Sequence, residues 1–157
     1  MDVVIAVDDP RAPDVRALLE KHLAFAHEVT PPGHVHALDA DRLVDPAVTF
    51  FSARRRADNT LLGVAALKRL DDEHAEIKSM HVGEHARGAG IGRALVEHLL
   101  AVATDAAYRR VSLETGTMPA FAPARALYQR MGFTPCPPFA DYTDNPFSTC
   151  MTIVLRP

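Results

Sequence analysis

Residues 75–103 read AEIKSMHVGEHARGAGIGRALVEHLLAVA, and this stretch organises the rest of the chain. Residues 75–82 are rich in apolar and β-branched side chains and are typical of a strand. Gly88, Gly90 and Gly92 then stand at every second position. The following residues predict an amphipathic helix, because apolar side chains recur every three or four positions at Ile91, Leu95, Leu99 and Val102. The stretch therefore predicts a strand, a glycine-rich turn and a helix in direct succession.

The strand at 75–82 departs from strict alternation. Counted from Ile77, alternation would place Ser79 on the apolar face, but the next apolar residues are Met80 and Val82. A β-bulge produces a slip of this kind, since it inserts one extra residue into one strand of a pair. We expect the bulge to release a backbone donor and to splay this strand from the next one, 110–114. The slot between two such strands could accept an extended ligand.

The glycine turn, residues 87–92, is either a flexible connector or a binding site for phosphate. A helix N-terminus presents unpaired N–H groups and partial positive charge, and glycine lets the backbone approach an anion closely. Arg87 and Arg93 add positive charge at the rim. The G-x-x-x-x-G-K-[ST] and G-x-G-x-x-G patterns are both absent. The context favours phosphate binding, but by neither of these loops.

The pattern R-x-x-G-x-G at residues 87–92 resembles the pyrophosphate loop of the GNAT (GCN5-related N-acetyltransferase) family. VSLETG at 111–116 resembles the next strand of that family, and PARALYQRMGF at 123–133 resembles its following helix. The resemblance covers residues 61–155. It is strongest to a bacterial subgroup of largely unassigned substrate, through PPGHVHALD, EIKSM, LETG and CPPFADY.

The resemblance implies one domain over residues 1–157, of the mixed α/β (α+β) class. Its sheet should be central, twisted and mixed, with six to seven strands splayed in the middle and about four helices around it. The patterns elsewhere agree with this order. They predict strands at 3–7, 48–53, 61–70 and 110–114, a helix from Pro13, a short helix around 40–43, a helix at 123–131 ending at Gly132, and closing strands from Phe133 and at 150–155.

The resemblance also implies an acetyl-CoA-dependent N-acetyltransferase in which an amine attacks the thioester directly. It assigns coenzyme contacts to the strand end, the glycine turn and two later positions: Met80, His81, Val82, Arg87, Gly88, Ala89, Gly90, Ile91, Gly92, Arg93, Thr115 and Tyr128. Thr115 stands where many members of the family have asparagine, which puts that contact in doubt.

Two side chains are predicted to be catalytic. Glu76 matches the glutamate that serves as the base in histone-modifying members of the family, and Tyr128 matches a tyrosine near the coenzyme sulfur that could protonate the departing thiolate. A Glu76–Lys78 pair on a half-exposed face and a tyrosine packed on the sheet are the structural alternatives. Glu114 is a second candidate for the base, or a partner of Lys78.

The acceptor is expected to be a small amine or an amino-acid-like metabolite. The segment 30–39 could form a lid, with His36 and Asp39 as substrate contacts beside Lys78 and Glu114; Tyr142 belongs to a later loop that could shape the same pocket. His34 and His36 form H-x-H near Asp39, but the sequence offers no third ligand cluster, so no metal is expected. His22, His74 and His98 are expected at the surface.

Composition limits the other partners. The net charge of −3 gives no electrostatic case for nucleic acid or an anionic membrane, and we interpret residues 54–56 (RRR) as a solvated strand end. No apolar run approaches the length needed to span a bilayer, and no signal peptide is evident. The two cysteines lack C-x-x-C spacing, which favours a reducing compartment such as the cytoplasm. A homodimer is possible. The rival functions are a non-catalytic acyl-CoA sensor, a protein amine acetyltransferase and a module for another diphosphate.

Overall fold

The computed structural model describes residues 2–35 and 39–155, which form a mixed sheet with helices on both faces. Seven strands are present in these residues: β1 Val3–Val7, β2 Val48–Arg55, β3 Leu61–Arg69, β4 His74–Val82, β5 Arg110–Gly116, β6 Thr134–Cys136 and β7 Ser148–Val154. The α-helices are α1 Pro13–Val29, α2 Ile91–Asp105 and α3 Ala122–Arg130. Three short 3₁₀ turns cover Arg42–Val44, Glu84–Ala86 and Pro119–Phe121.

The helix boundaries follow from local chemistry. Proline occupies the first turn of α1, where its missing N–H leaves no intrahelical bond unmade. The helix α2 begins after Gly90, whose φ of 79° is left-handed. After α3 the chain reverses at Gly132, with a φ of 103°. The predicted helix stops and starts are confirmed here.

The sheet has the strand order β1-β2-β3-β4-β5-β7-β6. Only β4 and β5 are parallel; the other neighbouring strands in the described chain are antiparallel. The parallel pairing stops early, because it joins residues 74–77 to residues 110–113 and goes no further. On its other edge, β4 shifts register against β3 between Val64 and Ala66, opposite Ser79 and Met80. The predicted bulge and the splayed strands are therefore both confirmed.

Two apolar clusters hold the layers together. One lies between the sheet and α2, where Ile91, Leu95 and Leu99 are almost completely buried. The other lies on the opposite face, where α1 contributes Val15 and Leu19. Because helices cover both faces, the end of the β4–β5 pair is enclosed by protein on both sides.

One expectation needs adjustment. The helix expected around 40–43 is a 3₁₀ turn at Arg42–Val44, which ends because Asp45 is extended before Pro46. The 54–56 run is neutralised by carboxylates, as its interpretation as a strand end requires: Arg54 pairs with Asp8 and Asp14, Arg55 with Asp58, and Arg56 with Asp2. Across the described ranges, no helix is long and apolar enough to cross a membrane.

Candidate active site

A cleft opens where β4 and β5 diverge. Its empty volume is about 770 Å³ with the open mouth included. The strand ends supply Glu76, Lys78 and Ser79 from β4, and Glu114 and Thr115 from β5. Walls come from α1, α3 and the loop before β7. The cleft is thus built from segments that are far apart in the sequence.

The glycine turn lies between the end of β4 and the start of α2. Gly88 and Gly90 have φ values of 80° and 79°, and a Cβ atom added at either one would meet no protein atom within 4 Å. The N–H groups of Ile91, Gly92 and Arg93 find no acceptor in the described parts of the chain. Open space beside exposed donors at a helix N-terminus fits a phosphate group.

Gly92, unlike Gly88 and Gly90, lies in a crowded position where three elements of the fold meet. A Cβ atom there would lie 3.1 Å from Leu127 Cδ2 of α3 and 3.5 Å from Met80 Cε of β4. Contacts that short leave little room for a side chain, so glycine allows α2, α3 and β4 to pack closely. Val82 is also near, with its Cγ2 3.7 Å from the same position.

The floor of the cleft holds a buried polar network. Glu76 is only 2% exposed, and its Oε2 accepts a hydrogen bond from the Tyr142 hydroxyl and one of 3.3 Å from Lys78 Nζ. Lys78 Nζ also donates to Tyr142 Oη over 2.8 Å. Burial, followed by the negative charge of Glu76, raises the pKa of Tyr142, so this phenol stays protonated and can donate. We call Glu76, Lys78, Tyr142 and the neighbouring Glu114 the polar floor.

Glu114 faces the same cleft from β5. Burial raises the pKa of its carboxyl to about 7; the positive charge of Lys78 opposes the shift and the negative charge of Glu76 adds to it. The group therefore changes charge near neutral pH. A carboxyl of this kind can take up a proton from a bound substrate at physiological pH.

Tyr128 lies in the wall formed by α3. The side chain is 5% exposed, and its ring packs edge-on against Phe133 with centroids 5.8 Å apart. Burial raises the pKa of its phenol, so the hydroxyl is protonated at neutral pH. The sequence left two interpretations of Tyr128, a catalytic acid and a tyrosine packed on the sheet. They are compatible, because the ring packs in the core while the residue lines the cleft.

His22 and His81 join α1 to β4. Their Nδ1 atoms are 3.1 Å apart, so one ring donates and the other accepts. Burial lowers the pKa of each ring to about 4, which leaves both neutral at pH 7. The expectation of a surface position for His22 was wrong, because the ring faces the sheet and lines the cleft. His74 and His98 are also engaged, with Ser112 and Phe51 respectively.

The other predicted contacts divide by location. Met80 and Thr115 line the cleft with Tyr128. The His81 side chain is turned toward His22, so only its backbone is offered to a coenzyme. Asp39 lies away from the cleft, where its Oδ1 accepts from the Arg42 backbone N–H over 3.0 Å. His36, the other residue of the predicted lid, is outside the described residues.

Sequence reasoning placed Tyr142 only in a loop near the acceptor. Its bond to Glu76 joins residues 66 positions apart, and no local pattern reports such a contact. The aromatic walls were missed for the same reason. Phe121 packs edge-on against Phe25 of α1, with centroids 5.4 Å apart, and Phe147 lies 4.8 Å from the ring of His34. The CPPFADY segment was the available signal, since it ends on Tyr142.

Within residues 2–35 and 39–155, no group of three or more His, Cys, Asp or Glu side chains is placed to hold a metal ion. Both cysteines are free thiols. They face each other across β6 and β7, and burial raises the pKa of both. A protonated thiol is a poor nucleophile, so neither is a candidate for covalent catalysis.

The sequence and the fold match known proteins. The chain is 40% identical to the "uncharacterized N-acetyltransferase YsnE" of Bacillus subtilis, over 94% of this chain and 97% of that protein. It is 34% identical to an "IAA acetyltransferase" of Azospirillum brasilense, over 96% of each chain. A solved GNAT family acetyltransferase from Elizabethkingia anophelis with acetyl-CoA bound has the same fold, with a TM-score of 0.71, 20% identity and coverage of 98% and 99%.

Residues 15–133 match the family model described as the acetyltransferase (GNAT) family. That range contains most of α1, the bulged strand, the glycine turn, β5 and α3; the loop before β7, which carries Tyr142, follows it. The chain is a member of the GNAT acetyltransferase family.

Proposed function

We propose that the protein transfers the acetyl group of acetyl-CoA to the amine of a small molecule, by direct attack of the amine on the thioester. One observation carries this proposal: the polar floor lies in the cleft at the splayed ends of β4 and β5, and Met80, which also lines this cleft, lies beside Gly92 of the glycine turn. A donor-rich turn suits the pyrophosphate of the coenzyme. A floor with two carboxyl groups suits an amine.

The charge of the floor favours a cationic acceptor. Glu76 and Glu114 face one lysine, Lys78, whose ammonium is already bonded to Glu76 and Tyr142. With both carboxylates ionised, the floor carries one net negative charge. An ammonium group entering the cleft would meet an attractive charge in a buried setting, where electrostatic interactions are strong.

Of the two carboxyl groups, Glu114 is our candidate for the base. Glu76 is held by two donors at the same oxygen, Oε2, and this geometry suits a fixed charge. The pKa of Glu114 lies at about 7, near the value that favours proton transfer at neutral pH. Glu76, which the sequence suggested as the base, would instead have an electrostatic role, since its charge helps to raise the proton affinity of Glu114.

The bond changes balance as follows. The bound ammonium first gives one proton to Glu114, which releases it to solvent. The neutral amine nitrogen then forms a bond to the thioester carbonyl carbon, and Glu114 takes the second proton that the nitrogen loses. The carbon–sulfur bond breaks, the sulfur receives a proton from the Tyr128 hydroxyl, and the phenolate that remains regains its proton from water. Tyr128 suits this step because burial keeps its phenol protonated. The backbone N–H of Met80 is proposed to stabilise the oxyanion.

The proposal is tested by following thiol release from acetyl-CoA with a panel of amines. The panel should contain aliphatic, aromatic and amino-acid-like amines and a lysine-bearing peptide. IAA, the compound in the name of the Azospirillum brasilense relative, is tested separately beside the panel. We expect release with at least one small amine and a matching mass gain on that amine. Release with the peptide alone would redirect the proposal to protein amines.

A matched control uses a carboxylate outside the cleft. Glu73 is 66% exposed and lies 3.6 Å from Arg109, so Glu73→Gln should retain full activity while Glu114→Gln loses it. Binding of acetyl-CoA without thiol release from any acceptor would contradict catalysis and support a sensor.

A further inference from the structure

Ser79 has an unusual backbone conformation for its position. Its φ is 55°, in the left-handed region that side-chain-bearing residues avoid. The other non-glycine residues of the described chain with positive φ are Asn59, Ala107 and Ala140, and all three lie in connections between elements. Ser79 alone among them lies inside a strand, at the β4 bulge. Glycine would adopt this conformation without strain.

The side chain of Ser79 is unusual as well. The residue is 8% exposed, yet its Oγ has no hydrogen-bond partner in the described parts of the chain. Buried hydroxyl groups nearly always have a partner, because burying one unpaired is costly. The strain and the unpaired hydroxyl are two separate costs, and no contact within the described residues offsets either. Costs of this kind concentrate at functional sites.

The location of Ser79 indicates what its hydroxyl could meet. Ser79 lines the cleft. It follows Lys78, which belongs to the polar floor, and precedes Met80, whose Cε lies near Gly92 in the glycine turn. Ser79 therefore lies between the polar floor and the residue of β4 that is beside the glycine turn, where the acceptor and the acyl group would meet.

We propose that Ser79 is a substrate-contacting residue, whose hydroxyl forms a hydrogen bond with a polar atom at the reacting end of a bound substrate. The proposal rests on the acetyl transfer proposed above. A serine hydroxyl can accept from an amine N–H or donate to a carbonyl oxygen, and both groups would be present at this position. Binding would supply the partner that the protein itself does not.

The test compares Ser79→Ala and Ser79→Gly with Ser52→Ala. Ser52 is a suitable control because it is also buried, at 3% exposure, but its hydroxyl donates to Asp8 Oδ2, and its strand β2 is separated from β4 by β3. Steady-state kinetics are measured with acetyl-CoA and the best amine of the panel. Melting temperature and the dissociation constant of acetyl-CoA are measured alongside. Ser79→Gly keeps the test valid if the alanine variant folds poorly, since it also relieves the strain.

Opposite patterns are expected. Removing the Ser79 hydroxyl should leave the melting temperature unchanged or higher and lower kcat/KM for the acceptor by about tenfold or more, the loss expected for one buried hydrogen bond. Ser52→Ala should lower the melting temperature and leave kcat/KM unchanged. A raised acceptor KM would identify the amine as the partner, and a lowered kcat alone would identify the acyl oxygen.

Two results would overturn the proposal. One is an active wild-type protein whose folded Ser79 variants keep kcat and both KM values. The other is a melting temperature of Ser79→Ala that falls as much as that of Ser52→Ala, since the hydroxyl would then have a partner in the protein. A wild-type protein that acetylates no amine would instead refute the proposed function, and this inference with it.

Discussion

Glu76 and Glu114 have the same chemistry but different surroundings, and the difference supports the separate roles that we propose for them. Glu76 receives two hydrogen bonds at one oxygen, from Lys78 and Tyr142. Glu114 is buried beside that charged group, and its pKa rises to about 7. In many enzymes one of two nearby carboxyl groups transfers a proton while the other stays ionised and stabilises charge, and the different surroundings of the two groups set these roles.

The first prediction concerns the pH dependence of the reaction. A base works only when ionised, so kcat/KM should rise as pH increases through about 7, the pKa of Glu114. Glu114→Gln should abolish this rise and lower kcat by about 100-fold or more, a typical contribution of a general base. The measurement is a pH–rate profile from pH 5.5 to 9 for both proteins. A variant that keeps the same inflection would transfer the role to another group.

The second prediction concerns Tyr142. Tyr142→Phe removes the hydroxyl that donates to Glu76, and should destabilise the protein by about 1–3 kcal/mol because a buried carboxylate loses a donor. Activity should fall while the dissociation constant of acetyl-CoA stays the same. In a double-mutant cycle with Glu76→Gln, the two losses should not add, since both remove one interaction. Additive losses would show that the two residues act separately.

At this scale the sequence predicts strand residues better than loop residues. Glu76 and Lys78 could be placed on one face because side chains alternate along a strand. Glu114 followed from the neighbouring strand. Tyr142 and His22 reach the cleft from a loop and a helix, whose approach depends on tertiary packing, so their contacts could not be predicted.

At the scale of elements, we propose that β4 and the glycine turn act as one functional unit. The bulge at Ser79 and the early end of the β4–β5 pairing open the cleft, and the turn after β4 begins α2 at its edge. Both features were predictable, the bulge from a slip in apolar alternation and the turn from its glycines. The short strand β6 and the 3₁₀ turn at Arg42–Val44 carry little periodicity, which explains why they were poorly defined by sequence.

The third prediction concerns the glycine turn. Gly90→Ala forces a side chain into a φ of 79°, at a position where its Cβ meets no protein atom. The strain should cost roughly 1–2 kcal/mol, and the affinity for acetyl-CoA should fall because the methyl group occupies the open space beside the helix N-terminus. Gly33→Ala is the matched control, with a φ of 86° and equally open surroundings outside this turn.

Titration calorimetry with acetyl-CoA measures the effect. The Gly33 variant should lose similar stability but keep its affinity. Equal affinities for both variants and the wild type would show that the turn does not contact the coenzyme.

The fourth prediction concerns the link between α1 and β4. His22 and His81 have pKa values of about 4 in the folded protein, against about 6.5 in an unfolded chain. The unfolded chain therefore binds more protons between these values, so stability should decrease as pH falls from about 6.5 to 4. Thermal unfolding should show the decrease, and replacing both residues with leucine should reduce it. An unchanged slope in that variant would contradict the assignment.

At the scale of the whole molecule, the charges outside the cleft give no indication of a nucleic-acid or membrane surface. The net charge is −3, and the arginines of the 54–56 run are paired with aspartates. Family membership could be inferred from the glycine turn with its flanking strand and helix. The acceptor could not, because the walls that would contact it come from α1 and the loop before β7, whose positions over the cleft depend on tertiary packing.

Thermal unfolding with acetyl-CoA, CoA, ATP and no ligand tests the central claim most directly. A ligand present at 100 times its dissociation constant stabilises the folded state by about 2.7 kcal/mol, which raises the melting temperature of a domain of this size by several degrees. We predict a rise with acetyl-CoA and CoA, and none with ATP. No rise with either coenzyme, or an equal rise with ATP, would contradict the assignment of the glycine turn and the cleft to acetyl-CoA.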